Sequence, residues 1–135
     1  MHADTTRLLD QCVADSHSGV AAFSEIVGRL IALGVERYHV DYSRGETTFY
    51  LPDGDSHVVP SPHEPQPTRS AFDAAAVQAA VQQSQRNEHG YPDFVRKTMA
   101  AGCVGYFVQI TGRRAIYFGR DGEIHVELFP PAPTE

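Results

Sequence analysis

The amino-acid sequence predicts an α+β fold, a duplicated helix-helix-β-β-β unit. The antiparallel strands and the helices should pack around one core, and an approximate internal two-fold axis should relate the two units. The main observation is that residues 23–58 recur from near Tyr91, at an interval of 68 positions. The two copies align when the second copy is one residue shorter at the first hairpin turn and gains one residue before the second turn. Insertions are tolerated best at turns, so this placement favours a structural duplication over chance similarity.

Identical residues stand at corresponding positions of the two copies. Before the first turn the pairs are Val27 and Val95, Ala32 and Ala100, Gly34 and Gly102, Tyr38 and Tyr106, and Val40 and Val108. After it they are Gly45 and Gly112, Tyr50 and Tyr117, Asp53 and Asp121, and His57 and His125. We therefore predict a single domain, residues 1–135, with pseudo-repeats 1–59 and 71–128. A linker, residues 60–70, joins them, and its four prolines predict an exposed and mobile segment.

Apolar residues at helical spacing predict two helices in each repeat. The first helix follows Asp4 and Thr5, which can cap it, and its apolar positions are Leu8, Leu9, Cys12 and Val13. The second ends at Gly34, and its apolar stripe is Phe23, Ile26, Val27, Leu30 and Ile31. An alanine-rich helix is predicted at residues 71–86, with one face formed by Phe72, Ala75, Ala76, Ala79 and Ala80. Pro92 suits the first turn of the fourth helix.

Three short strands are predicted after the second helix of each repeat. Residues 37–42 and 47–51 flank a three-residue loop, residues 43–45, which would place Tyr38 opposite Tyr50. In the second repeat the corresponding turn would place Tyr106 opposite Tyr117. Asp-Gly turns then lead into third strands at residues 56–59 and 123–128.

Composition and charge limit the classes of partner. A formal charge of −6 and a pI near 5.6, with scattered Lys and Arg, argue against a nucleic-acid partner. No apolar stretch approaches the roughly 20 residues of a membrane span, and no signal peptide is apparent, so we expect a soluble, cytoplasmic protein with no membrane partner. Cys12 and Cys103 lie among apolar residues, which is typical of buried, reduced thiols. Cys103 stands at the position of Val35 and is interpreted as a core residue.

The sequence predicts no metal site and no cofactor. It contains seven histidines, which is many for 135 residues. However, it has no HExxH motif, no CxxC motif and no close histidine pair on a helical face. We therefore interpret the histidines as scattered over the surface and loops.

His39 and Asp41 are the leading candidates for catalysis. Residues i and i+2 of a strand point to the same face, and a carboxylate beside a histidine can orient the ring and raise its pKa. The alternative is a flat, solvated strand face, which we expect because the second copy has Phe107 and Gln109 at these positions.

Ser16 and His17 form a second candidate constellation. They end the first predicted helix, just before Gly19. A serine nucleophile needs a base within hydrogen-bond reach and an oxyanion site, and no GxSxG motif is present. A capping arrangement is the favoured interpretation. The tyrosine pairs predicted across the strands are interpreted as packing pairs, with ligand stacking as the alternative.

Several of these residues together resemble a known family. The pattern consists of a Ser16-His17-x-Gly19 turn, Phe23 at the start of an amphipathic helix, residues 34–42 with the sequence GVERYHVDY, and residues 50–54 with the sequence YLPDG. It resembles the YbcV-like proteins, a small bacterial and prophage-borne family of unknown function that is often labelled "phage envelope protein". The resemblance covers most of the chain and implies an α+β fold, but it implies no reaction or ligand.

Two classes of function remain. The first is a non-enzymatic binding module that recognises a protein partner or a small molecule in a groove between the repeats. Its candidate ligand-binding residues are Tyr38, Tyr50 and Ser16. The second is a small enzyme that uses His39 and Asp41, with His17 or Tyr38, for acid-base chemistry. The lack of a recognised catalytic motif favours the first class, whereas clustering of His17, His39 and Asp41 in one pocket would favour the second. The sequence does not indicate the oligomeric state.

Overall fold

A computed structural model of the protein describes residues 1–64 and 71–129. Within them the elements follow the predicted order of two helices and three strands, twice. The first set is α1 (Ala3–Ser18), α2 (Phe23–Ala32), β1 (Arg37–Asp41), β2 (Glu46–Tyr50) and β3 (Ser56–Pro60). The second set is α3 (Ala74–Gln85), α4 (Tyr91–Ala100), β4 (Cys103–Gln109), β5 (Arg114–Gly119) and β6 (Ile124–Leu128). The fold class is therefore α+β, as predicted.

The strands form one antiparallel sheet in the order β3-β2-β1-β4-β5-β6. β1 and β4 meet in the middle, so the order is the same when the two repeats are exchanged. Helix α1 packs against β3, α3 against β6 and α4 against β4, and a single core lies between the helices and the sheet. We call the side of the sheet that faces this core the helix face and the other side the open face. On the open face, Val58, Ile124, Val126 and Leu128 of the edge strands are exposed.

Buried and exposed residues alternate along the central strands as predicted. Along the helices, the buried stripe is narrower than the predicted apolar stripe. Tyr38 and Val40 of β1 and Tyr106 and Val108 of β4 are all buried on the helix face. Helix α2 buries Ile26 and Leu30, whereas its predicted core residues Phe23 and Ile31 are exposed and Val27 is only half-buried. In α1, Leu9 and Cys12 are buried but Leu8 is exposed. A helix that lies on the edge of a two-layer fold contacts the core over one narrow stripe, which explains these exceptions.

Helix α3 contacts the core through a face that only partly overlaps the predicted one, since Ala80 is buried and Ala76 is partly buried against the core. Its buried residues are Val77, Ala80 and Val81, while Ala75 and Ala79 are exposed. The helix also begins later than predicted, because the carboxylate of Asp73 accepts a hydrogen bond from the Ala76 backbone N–H and so caps it. Helix α1 differs as well: it begins at Ala3, its N-cap residue His2 makes no side-chain cap, and Asp4 and Thr5 lie inside the first turn.

The first hairpin has a different register from the predicted one. Tyr38 lies opposite Phe49 and Arg37 opposite Tyr50, so Tyr38 and Tyr50 point to opposite faces of the sheet. The loop has four residues rather than three, and within it the Asp41 carboxylate accepts hydrogen bonds from the backbone N–H groups of Ser43 and Arg44. The second hairpin has the predicted register, with Tyr106 opposite Tyr117.

With this register the two repeats correspond at a constant interval of 68, without the length changes that the sequence suggested. The strands Ser56–Pro60 and Ile124–Leu128 are spaced in this way, as are the helices Phe23–Ala32 and Tyr91–Ala100. Residues with positive φ also pair at this spacing, namely Gly19 with Asn87, Gly34 with Gly102, Gly45 with Arg113 and Gly54 with Gly122. At the centre, His39 lies opposite Phe107 and stacks on its ring. A duplication in the ancestry of the chain stays a prediction.

The start of the linker is largely exposed, as predicted, at Pro60, Pro62 and Glu64, but Ser61 is buried. Pro60 ends β3, and Ser61 is 6% exposed, with its hydroxyl bonded to the Thr47 hydroxyl at 3.0 Å. The remainder of the predicted linker, residues 65–70, lies outside the described residues.

Among the helices of the described ranges, none is both long enough and apolar enough to cross a membrane.

Candidate functional site

The candidate site is a cavity of about 750 Å³ that lies between the two repeats, on the helix side of the sheet. One wall is the connection from α1 to α2, and the other is the connection from α3 to α4. The floor is formed by side chains of β1, β2 and β4. Cavities of this size suit small ligands, which commonly bind in clefts of about 300–1,000 Å³.

The lining combines apolar walls with a limited set of polar groups. The apolar side chains include Val13, Val20, Ile26, Phe49 and Val40. The polar side chains are Ser16, His17, Glu25, Tyr38, Thr47, Ser84, Asn87, Glu88, His89, Tyr91 and Tyr106. Val20 and Phe23 are exposed and lie on the wall formed by the first repeat, so apolar surface also reaches the mouth.

Tyr38 provides the most informative polar atom in the cavity. Its side chain is only 6% exposed, and its hydroxyl makes no hydrogen bond with any of the described residues. Every fully enclosed side-chain N or O atom in the same residues has a partner, so the Tyr38 Oη atom keeps some accessible surface, and the cavity is the space that this residue lines. Burial raises the pKa of Tyr38 well above its ordinary value, and the phenol therefore stays neutral.

Tyr91 and Tyr106 lie beside Tyr38 and are bonded to each other. Their hydroxyl oxygens are 2.7 Å apart. Tyr106 is a diagonal neighbour of Tyr38 on the adjacent strand and the same face, because Tyr38 pairs with Val108. Burial raises the pKa of Tyr91 to about 12, and it also raises the pKa of Tyr106, which the neighbouring phenols raise further. Three neutral phenols thus lie together at one end of the cavity.

Ser16 and His17 line the wall formed by α1. His17 is half-buried and packs edge-on against Tyr91, with ring centroids 5.1 Å apart. Burial lowers the pKa of His17, so the ring is neutral at pH 7 and offers one donor and one acceptor. Neither side chain has a hydrogen-bond partner among the described residues. The capping predicted for Ser16 or Ser18 is made by Ser18, whose hydroxyl donates to the Asp15 carbonyl, together with Gly19 in the left-handed conformation.

The opposite wall holds a Ser-His pair that the sequence analysis did not single out. The Ser84 Oγ and His89 Nε2 atoms are 2.7 Å apart, and the Lys97 ammonium lies 3.0 Å from His89 Nδ1. An ammonium can only donate, so Nδ1 accepts and the neutral ring carries its proton on Nε2, which donates to Ser84. Burial, followed by Lys97, lowers the pKa of His89 and keeps the ring neutral. In this tautomer His89 cannot remove the serine proton.

His39 and Asp41 do not join this cavity. They lie on the open face, whereas His17 lies on the helix side of the sheet. His39 stacks on Phe107 with ring centroids 4.4 Å apart, and the Asp41 carboxylate is engaged by the turn backbone. Burial lowers the pKa of His39, and the smaller, opposite effect of Asp41 does not reverse this. The structure therefore does not bring the three predicted catalytic candidates together.

Tyr50 is also separated from the cavity. It lies on the open face, where the Arg37 guanidinium sits 4.3 Å from the centre of its ring. Of the three predicted ligand-binding residues, Tyr38 and Ser16 line the cavity and Tyr50 does not.

Within residues 1–64 and 71–129 no group of three or more His, Cys, Asp or Glu side chains could hold a metal ion. Cys12 lines the cavity, and Cys12 and Cys103 are both buried and free.

The charges around the cavity are mainly negative. Among the described residues its lining includes Glu25 and Glu88 but no Lys or Arg. Arg29, which follows on α2, is held by Asp15 at 2.6 Å and by Glu25 at 3.3 Å. An anionic ligand would therefore find no unpaired cation in the described lining.

Comparison with protein families gave one result. A family model described as "Protein of unknown function (DUF1398)" matches residues 11–127. The chain belongs to this family. The match spans all the helices and strands apart from the first turns of α1 and the last residue of β6. A comparison with curated proteins found no match. In this DUF1398 protein, the matched residues include the whole lining of the cavity.

Proposed function

We propose that this DUF1398 protein is a non-enzymatic binding module that holds a small molecule in the cavity between its repeats. The observation that carries the proposal is the Tyr38 hydroxyl, which belongs to a side chain that is 6% exposed, lines the cavity and has no partner among the described residues. A hydrogen bond from a ligand to such a hydroxyl contributes roughly 0.5–1.5 kcal/mol. The hydroxyl therefore offers a ligand a hydrogen-bonding group that no described residue uses.

The arrangement of the polar groups favours binding over catalysis. His89 donates to Ser84 rather than accepting from it, and among the described residues His17 has no carboxylate to orient its ring. General-base catalysis needs a lone pair aimed at the proton to be removed. The lone pair of His89 is occupied by Lys97 and the ring of His17 is not held by a hydrogen bond, so the acid-base enzyme is the less supported function.

A matched pair of tryptophan variants tests the proposal. Ser16→Trp should fill the cavity, because Ser16 lines it, whereas Ser18→Trp on the same helix places its ring on an exposed surface. We expect a set of small aromatic and aliphatic probes to include molecules that raise the melting temperature of the wild type and of Ser18→Trp, but not of Ser16→Trp. Equal stabilisation of all three proteins would show that binding occurs elsewhere. If no probe stabilises the wild type, a protein partner becomes the better explanation.

Two narrower assignments belong to the proposal. We place the chain among the YbcV-like proteins, on the strength of the Ser16-His17-x-Gly19 turn, all three residues of which line the cavity. We also retain a cytosolic location, which is supported by two free cysteines. The label "phage envelope protein" has no counterpart in the features described above.

A further inference from the structure

Two phenol O–H groups in the cavity have no acceptor among the described residues. Tyr38, Tyr91 and Tyr106 each carry one O–H group. The contact between Tyr91 and Tyr106 uses one of these hydrogens. No described residue accepts either of the other two. Burial keeps all three phenols protonated, so the two unused donors persist at neutral pH.

A carbonyl oxygen fits the two unused phenol O–H groups. It has two lone pairs and can accept two hydrogen bonds without offering a competing donor. An ammonium group brings only donors, so it could bond to the phenol oxygens but would leave the two O–H groups without an acceptor. A carboxylate or phosphate would accept, but it would be placed in a lining that holds Glu25 and Glu88 and no described Lys or Arg. Moving such an anion out of water without a cation is costly.

We infer that the cavity takes a neutral, largely apolar molecule that carries a carbonyl oxygen, and that the Tyr38 hydroxyl donates to this oxygen. The inference rests on the proposed function and names the ligand class for the same site. The apolar body of the ligand packs against Val13, Val20 and Ile26, which line the cavity near the phenols. Tyr38 is then the residue that distinguishes a carbonyl compound from a hydrocarbon of equal shape.

Four probes of similar size test the ligand class: acetophenone, ethylbenzene, benzoate and benzylamine. Binding is measured by NMR titration of the wild type, of Tyr38→Phe and of Tyr117→Phe. Tyr117 is the matched control, because it is a buried tyrosine of the same sheet face that does not line the cavity. We expect acetophenone to bind the wild type most tightly. Tyr38→Phe should weaken this binding about tenfold, as for loss of one hydrogen bond, and leave ethylbenzene within about twofold.

The stability of the variants provides an independent readout. The Tyr38 hydroxyl has no partner among the described residues, so Tyr38→Phe should unfold at the same or a higher urea concentration than the wild type. If the Tyr38 hydroxyl had only a structural role, the same substitution would lower the stability of the protein.

If acetophenone and ethylbenzene bind equally and Tyr38→Phe affects the binding of neither, the ligand class is wrong although the cavity still binds small molecules. If benzoate binds as tightly as acetophenone, the charge argument is wrong. If none of the probes binds the wild type, the proposed function fails as well.

Discussion

Two glycines at corresponding positions of the repeats offer a sharp test of the packing. Gly34 and Gly102 each follow the second helix of a repeat, with φ of +79° and +91°. In both, the backbone N–H donates to a carbonyl in the last turn of the helix. A Cβ atom added at Gly34 would meet nothing within 4 Å, whereas one added at Gly102 would lie 2.4 Å from the Ala71 carbonyl oxygen. The same substitution therefore has two different environments.

The expected costs follow from these geometries. A left-handed conformation costs an alanine roughly 1–2 kcal/mol, which should be the whole effect of Gly34→Ala. Gly102→Ala bears the same cost and adds overpacking of about 1–3 kcal/mol. The Ala71 segment cannot move away easily, because the Asp73 N–H donates to the Ala101 carbonyl at 2.8 Å and holds it against this turn. Urea denaturation of both variants gives the difference. Equal losses of unfolding free energy, within about 0.5 kcal/mol, would refute the close approach of the Ala71 segment.

Three further predictions concern the core and the histidines. Leu30→Ala should lower the unfolding free energy by about 2–5 kcal/mol, because Leu30 is fully buried, and a urea-measured loss below about 1 kcal/mol would place it on the surface. NMR titration of the wild type should give His39 a pKa below its ordinary value. The pKa of His39 should be lower still in Asp41→Asn, because the Asp41 carboxylate raises it. A raised pKa of His39 that falls in Asp41→Asn would restore the enzyme hypothesis. The pKa values of His17, His39 and His89 are lowered in the folded protein, so these residues take up protons at a higher pH in the unfolded chain. The unfolding free energy should therefore fall as the pH drops below about 6.5. An unchanged unfolding free energy between about pH 7.5 and pH 5 would contradict this prediction.

The sequence predicts the architecture well because its strongest signals are periodic. Alternation along the strands correctly assigns Tyr38, Val40, Tyr106 and Val108 to the core. The turn at Thr111-Gly112 leads to the correct register of the second hairpin. The first hairpin is misassigned by one residue, because Tyr42, which the sequence analysis places at the end of the first strand, belongs to the loop.

The cavity was only partly predictable. A groove between the repeats was expected, and Ser16, His17 and Tyr38 were singled out from their local patterns. The Ser84 and His89 pair was missed, because the two residues meet only when the chain turns back at the end of α3, with Asn87 in the left-handed conformation. His39 and His17 do not meet, because His39 points to the open face of the sheet, whereas α1, which carries His17, packs on the helix face.

The most direct test of the account is the location of bound ligand in the wild-type protein. Amide NMR shifts should be followed as acetophenone is added. The binding proposal predicts that the shifts concentrate in residues 16–23 and 84–91, the two walls of the cavity, and at Tyr38 on its floor. The competing location is the exposed apolar surface of β6 on the open face, at Ile124, Val126 and Leu128. Shifts confined to β6, with both cavity walls unchanged at saturation, would contradict the central claim.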